Sequence, residues 1–90
     1  MKHAGPEAIG RLEPLLVRIR TLDGLAEKKR GTFYRGSRAF LHFHEDPAGL
    51  FADVRLDVNS GFTRLRVTTK REQEALVRAI TRTLTNLGPA

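Results

Sequence analysis

Three consecutive segments of alternating apolar and polar residues constrain the fold of this chain more than any other feature of its sequence. They are residues 39–44, 50–57 and 62–68. A period of two is typical of a strand whose two faces meet different surroundings. One face is aliphatic, with Leu41, Val54 and Leu65, and the opposite face is charged and aromatic. The alternation therefore predicts one antiparallel sheet with a single apolar face.

Short turns between the segments determine how the strands should pair. Residues 25–35 predict a fourth strand, and Gly36-Ser37 then forms a two-residue turn in which glycine suits the required backbone. Residues 46–49 form the next turn, because the proline and glycine there favour a reversal of the chain. The expected cross-strand pairs are Arg35 with Arg38, Phe33 with Phe40, His44 with Phe51, His42 with Asp53, and Phe40 with Arg55.

One helix is predicted before the strands along the chain, and a second helix is predicted after them. Apolar residues recur at helical spacing over residues 12–22, and Gly24 then supplies a left-handed stop. Thr69 and Glu72 have the spacing of a capping box, in which each side chain accepts a hydrogen bond from the other residue's backbone amide. The second helix therefore begins there, and it should end at residues 87–89, where leucine is followed by glycine and proline.

These elements predict an α+β fold in the order α-β-β-β-β-α. The four strands form an antiparallel meander, and both helices pack on its aliphatic face as a two-layer sandwich. Ninety residues without cysteine form one domain with a small core and no disulfide framework. We expect residues 12–88 to form this domain. Glycine and proline interrupt residues 1–11, which predict a frayed or weakly anchored amino-terminal arm.

The open face of the sheet is the surface to which we assign the function. Four phenylalanines would face water there, and exposed apolar patches of this kind usually mark an interaction surface. A second copy of the chain is the simplest cover, so we expect a non-enzymatic interaction module that forms a homodimer. The amino-terminal arm or the arginine side chains are alternative covers. The predicted binding face consists of Phe33, Arg35, Phe40, His42, His44, Phe51, Asp53, Arg55, Phe62, Arg64 and Arg66.

Single-stranded nucleic acid is an alternative partner for the same face. The net charge is +6, with twelve arginines and four lysines, and the planar fork of arginine suits phosphate. Aromatic rings interleaved with arginine resemble the platforms on which unpaired bases stack. Genomic base composition or solubility alone accounts for the same charge equally well.

Metal binding is a second alternative. His42 and His44 place two imidazoles on one face of a strand, and Asp53 is a candidate third ligand. The competing interpretation is that His42 forms a hydrogen bond with Asp53 across the strands.

Enzymatic activity is not expected. The sequence has no nucleophile motif, glycine-rich phosphate loop or metalloprotease helix, and it predicts no cofactor. The first residues lack the apolar stretch of a signal peptide, so we expect a cytoplasmic protein without a membrane partner.

The run from Phe33 to Arg55, with AFLHFHEDPAGLFADVR over residues 39–55, resembles a family of small bacterial proteins to which no activity is assigned. The resemblance also includes residues 62–84. It implies a stand-alone domain and indicates no site residues. The layout is also similar to that of the small α+β domains of the MmcQ/YjbR and frataxin-like type, which implies two helices on one face of a sheet.

Overall fold

The computed structural model describes residues 1–57, 59 and 61–87. Its fold is α+β with an antiparallel sheet, as predicted, but these residues form six strands and three helices where four strands and two helices were expected. In chain order the elements are β1 (Lys2–His3), α1 (Pro6–Arg11), α2 (Glu13–Arg20), β2 (Ala26–Lys29), β3 (Thr32–Arg35), β4 (Arg38–Asp46), β5 (Gly49–Val54), β6 (Thr63–Arg66) and α3 (Lys70–Leu87).

Strands β2 to β6 follow one another across the sheet, and β1 pairs with β4 outside that path. The prediction of one strand over residues 25–35 is wrong, because the chain reverses at Gly31 and forms the hairpin of β2 and β3. Gly31 has a φ of +84°, a conformation that glycine adopts without steric cost. The charged residues that precede it lie on β2, at the edge of the sheet, where charge is well tolerated.

The register between β4 and β5 is the predicted one. His42 pairs with Asp53 and His44 pairs with Phe51, because the turn over residues 46–49 has the expected length. The Gly36 turn also pairs Arg35 with Arg38, as the loop length predicted.

The predicted pairing of Phe33 with Phe40 is wrong. Phe33 pairs with Leu41, and the register shifts by one residue between Phe33 and Tyr34. Such a bulge leaves one residue of β4 without a partner on β3. A shift of one residue also exchanges the two faces of a strand, so Phe33 joins the face of Leu41.

This shift corrects two members of the predicted binding face. Phe33 is 1% exposed and Phe40 is 3% exposed, so both rings belong to the hydrophobic core and not to an open surface. The core is one cluster to which all three helices and the aliphatic face of the sheet contribute. Its largest fully buried side chains are Phe33, Leu12, Leu15, Leu16, Ile19, Leu41, Leu76, Ile80, Val54 and Val67.

Residues 1–11 form β1 and α1, where a frayed or weakly anchored arm was expected. The two amino-terminal helices meet at Leu12, because Pro14 has no amide hydrogen to donate to the carbonyl of Gly10 in a continuous helix. Ile9 anchors α1, since its side chain is 8% exposed and packs within the core cluster.

The predicted capping box begins α3. Thr69 Oγ1 accepts a hydrogen bond from the Glu72 amide at 3.1 Å, and Glu72 Oε1 accepts one from the Thr69 amide at 2.8 Å. The predicted stop at Gly88 and Pro89 lies outside the described residues, as do Val58 and Ser60 in the turn before β6. Within residues 1–57, 59 and 61–87, the helices are too short or too polar to cross a bilayer.

Candidate metal centre

Strands β4 and β5 bring two imidazoles and one carboxylate together on the open face of the sheet. His42 and His44 are two residues apart on β4 and therefore share a face, and the register places Asp53 opposite His42. The Nε2 atom of His44 lies 3.1 Å from Oδ2 of Asp53, and Nε2 of His42 lies 3.6 Å from the same oxygen. One ligand atom from each of the three residues lies within 4.8 Å of the others. We call these three residues the candidate centre.

Burial distinguishes the candidate centre from an ordinary polar patch. His44 is 9% exposed and Asp53 is 8% exposed, and His42 is half-buried. Neither ring nitrogen of His44 has a hydrogen-bond partner among the described residues. The 3.1 Å separation from Asp53 is as short as a hydrogen bond, but the atoms lack the alignment that a hydrogen bond requires.

Arg64, on β6, binds the outer side of the Asp53 carboxylate. Its Nε donates to Oδ1 at 2.8 Å and its Nη2 donates to Oδ2 at 2.8 Å. The hydrogen bonds from Arg64 hold the pKa of Asp53 below its ordinary value of 3.8, although burial opposes them. Asp53 is therefore ionised at neutral pH.

His42 is uncharged at neutral pH. Burial lowers the pKa of His42 below its ordinary value of 6.5, and this effect exceeds the opposing attraction of Asp53. The positive charges that His44, His3 and Arg64 can carry lower the pKa of His42 further. The candidate centre thus combines a neutral imidazole with a charged carboxylate, which is the state in which both residues bind metals.

His3 is a neighbour of the candidate centre that the sequence did not indicate. Strand β1 pairs His3 with His44, and the two rings stack with their centroids 4.7 Å apart. The His3 ring is also 5.8 Å from that of His42, measured between centroids. A two-residue strand has no periodicity to detect, and its partner lies about 40 residues away along the chain, so local patterns give no signal for it.

Four other residues of the predicted binding face lie around this cluster. Phe51 is half-buried, and Phe62 is 38% exposed, with the guanidinium of Arg55 4.4 Å from its ring centroid. The Phe62 ring also meets the edge of His42. Arg66 lies opposite Phe51 in the sheet, and its guanidinium forms an ion pair with Glu72.

Arg35 lies near the turn between β3 and β4 and not in the cluster. It is half-buried, and it lines a cavity of about 90 Å³ together with Phe40 and Arg55.

The homodimer and nucleic-acid interpretations rested on four exposed rings. Because Phe33 and Phe40 are buried, two of those rings no longer contribute to the face. Dimer formation and oligonucleotide binding both stay predictions. Comparison with known proteins adds no relative: no protein-family model, no curated protein and no solved structure matches this chain.

Proposed function

We propose that this protein binds a divalent transition metal of the zinc type through His42, His44 and Asp53. One observation carries the proposal: the buried His44 ring has Nε2 3.1 Å from Oδ2 of Asp53, and neither of its ring nitrogens has an aligned hydrogen-bond partner among the described residues. Buried polar atoms in native proteins nearly always have a partner, and a bound ion is one of the few explanations for an orphan.

Two of the three ligand separations within the candidate centre are close to those of tetrahedral coordination, whereas the set of three ligand atoms spans up to 4.8 Å and would have to contract around an ion. Bonds of 2.0–2.2 Å to zinc separate neighbouring ligand atoms by about 3.3 to 3.6 Å. The two Nε2 atoms lie 3.1 and 3.6 Å from Oδ2 of Asp53, close to that range. The two imidazole centroids are 5.0 Å apart, and two imidazoles on one tetrahedral ion would be separated by about 5 Å.

Arg64 is compatible with a metal ligand at Asp53. Each carboxylate oxygen has two lone pairs, and Arg64 donates a hydrogen bond to one lone pair of each oxygen. A lone pair on Oδ2 is therefore left for a metal, and carboxylates that bind metals are commonly hydrogen-bonded from their outer side. The positive charge of Arg64 nevertheless repels a cation and should weaken binding.

The donor set indicates the class of metal. Two imidazole nitrogens and one carboxylate oxygen suit zinc, copper, iron and nickel, whereas calcium and magnesium prefer oxygen donors alone. The chain contains no cysteine, so the thiolate sites that select soft metals are absent from its sequence.

The test is a calorimetric titration of the tag-free, chelator-treated protein with Zn²⁺ at pH 7.5. We expect one ion per chain, and a hundredfold excess of free zinc over the dissociation constant should stabilise the fold by about 2.7 kcal/mol. Co²⁺ serves as a spectroscopic probe, since tetrahedral coordination gives it intense visible absorption.

A matched pair of variants locates the site. Asp53→Asn removes the negative charge of the carboxylate at the candidate centre. Asp23→Asn makes the same change at an exposed residue outside the centre. Asp53→Asn and His44→Ala should each weaken zinc binding at least tenfold, and Asp23→Asn should not. Equal binding by all three variants, or no heat from the parent, would refute the proposal.

A further inference from the structure

A cavity of about 350 Å³ lies at the edge of β4, where one neighbouring strand ends and another begins. Pairing of β4 with β3 ends at Leu41, and pairing with β1 begins at His44. The two residues between these points, His42 and Phe43, both line the cavity. We call it the edge cavity. It is large enough for a small organic molecule, since ligand sites in proteins generally measure about 300 to 1,000 Å³.

The edge cavity is lined by cationic residues and by hydroxyl groups. Lys29 at the end of β2 and Arg30 in the turn after it both line the cavity, and both are exposed. Thr32 and Tyr34 on β3 add two residues with hydroxyl groups. Among the described residues that line the cavity there is no aspartate or glutamate. This set of groups favours an anion over a cation or a neutral molecule.

We propose that the edge cavity binds a small phosphate monoester, with the phosphate at Lys29 and Arg30. The planar guanidinium of arginine donates two parallel hydrogen bonds to a phosphate, and lysine adds a compact positive charge. Two adjacent cations match the double negative charge of a phosphate monoester better than the single charge of a carboxylate. The apolar part of the lining, which includes Ile9 and Phe43, suits the organic group of the ester. The inference is independent of metal binding.

Arg30 retains donor groups for a phosphate although it forms an ion pair. Its Nη2 donates to Oε1 of Glu13 at 2.7 Å. A guanidinium has five N–H groups, and this hydrogen bond uses one of them. Glu13 also accepts a hydrogen bond from Nη1 of Arg20 at 2.6 Å, so its single negative charge is shared between two arginines. The pair with Glu13 therefore neutralises Arg30 only in part.

A third cation adjoins the edge cavity. The Nζ atom of Lys28 lies 5.4 Å from the centroid of the Tyr34 ring, and Tyr34 lines the cavity. Residues 28–30 thus place three consecutive positive charges beside it. Like charges at this spacing repel one another, and a bound dianion would relieve that repulsion.

Tyr34 makes binding directly observable. The chain contains one tyrosine and no tryptophan, so its intrinsic tyrosine fluorescence comes from a residue of the edge cavity. The probe is glycerol phosphate, which does not absorb where tyrosine does, added at constant ionic strength with a metal chelator present. We expect a saturable change in fluorescence and a matching heat in calorimetry, and glycerol should give neither. Absence of both signals with glycerol phosphate would overturn the proposal.

A matched pair of variants locates the site. Lys29→Gln should weaken binding of glycerol phosphate about tenfold, because it removes a charge-assisted hydrogen bond. Lys70→Gln removes the same charge from an exposed position at the start of α3 and should bind like the parent. Circular dichroism should show the parent fold for both variants, since both positions are exposed. Equal weakening by the two variants would mean diffuse attraction to the net charge and would overturn the proposal.

Competitors test the class of ligand. Inorganic phosphate should displace glycerol phosphate, and acetate at the same concentration should not. Equal displacement by acetate would overturn the assignment to phosphate. A single-stranded oligonucleotide that binds more tightly than glycerol phosphate, and that Lys29→Gln weakens, would overturn the small ester in favour of nucleic acid.

Discussion

The guanidinium of Arg64 and the carboxylate of Asp53 form a two-pronged ion pair, with both donor–acceptor distances at 2.8 Å. Arg64 thus places a positive charge on the side of the Asp53 carboxylate that is opposite the two imidazoles. Arg64 is half-exposed, so solvent screens this charge in part.

Removal of the charge of Arg64 should therefore raise the affinity for zinc. We expect Arg64→Gln to bind Zn²⁺ up to about tenfold more tightly, since a unit charge a few ångströms from a divalent ion costs about 1 to 2 kcal/mol near water. Arg64→Lys keeps the charge and should bind like the parent in the same calorimetric titration. Weaker binding by Arg64→Gln would show that Arg64 contributes more by orienting Asp53 than it costs by repulsion.

The pH dependence of stability should include a contribution from Glu72. Its pKa is lowered from 4.5, first by the hydrogen bond from the Thr69 amide, with Arg66 adding to the effect. A lowered pKa in the folded state gives stability that is fully present above about pH 4.5 and is lost as the pH falls through the folded value. Melting midpoints of the parent and Glu72→Gln should differ at pH 7, and the difference should shrink as the pH falls from 4.5 through the folded-state pKa of Glu72. A constant difference across that range would contradict the assignment.

Phe33 and Phe62 were predicted to lie on the same face of the sheet, but replacing each with alanine should lower the stability by different amounts. Phe33→Ala should cost about 3 to 5 kcal/mol because the ring is 1% exposed, whereas Phe62→Ala, 38% exposed, should cost about 1 kcal/mol through its contacts with Arg55 and His42. Urea denaturation followed by circular dichroism measures both. Phe33→Leu keeps part of the volume and gives a folded reference if Phe33→Ala does not fold. Equal costs for the two alanine variants would mean that the bulge in β4 is absent.

Alanine substitutions at two glycines with positive φ, Gly31 and Gly36, should also differ in how much they lower the free energy of unfolding. A Cβ on Gly31 would lie 2.7 Å from Cδ1 of Ile9, whereas a Cβ on Gly36 meets no described atom within 4 Å. Gly36→Ala should cost about 1 kcal/mol for the left-handed backbone alone, and Gly31→Ala should cost more. Ile9→Val removes the clashing methyl, so the double variant of Gly31 and Ile9 should be more stable than the two single effects predict. Additive effects in this cycle would rule out a close approach of α1 to the turn.

The register of β4 and β5 could be predicted because a short turn and a strict alternation act together. The turn over residues 46–49 allows one pairing that keeps Leu41 and Val54 on the same face, and that pairing brings His42 opposite Asp53. The candidate centre follows from this register, so two imidazoles and the carboxylate were within reach of sequence reasoning.

The bulge and the pairing of β1 with β4 could not be predicted in the same way. Phe33 and Phe40 fit a regular hairpin by pattern, and the free energy gained by burying both rings in the core is a property of the packed structure. His3 depends on a contact between residues about 40 positions apart, in a strand of two residues. Single-sequence periodicity reports neither of these.

Strand β1 also completes an edge of the sheet. Pairing of β3 with β4 ends at Leu41, and β1 takes over the same edge at His44 and Glu45. Unpaired backbone amides and carbonyls on an edge are a template for strands from other molecules, which is a common route to aggregation. By occupying these positions, two residues at the start of the chain protect the longest strand of the sheet from intermolecular pairing.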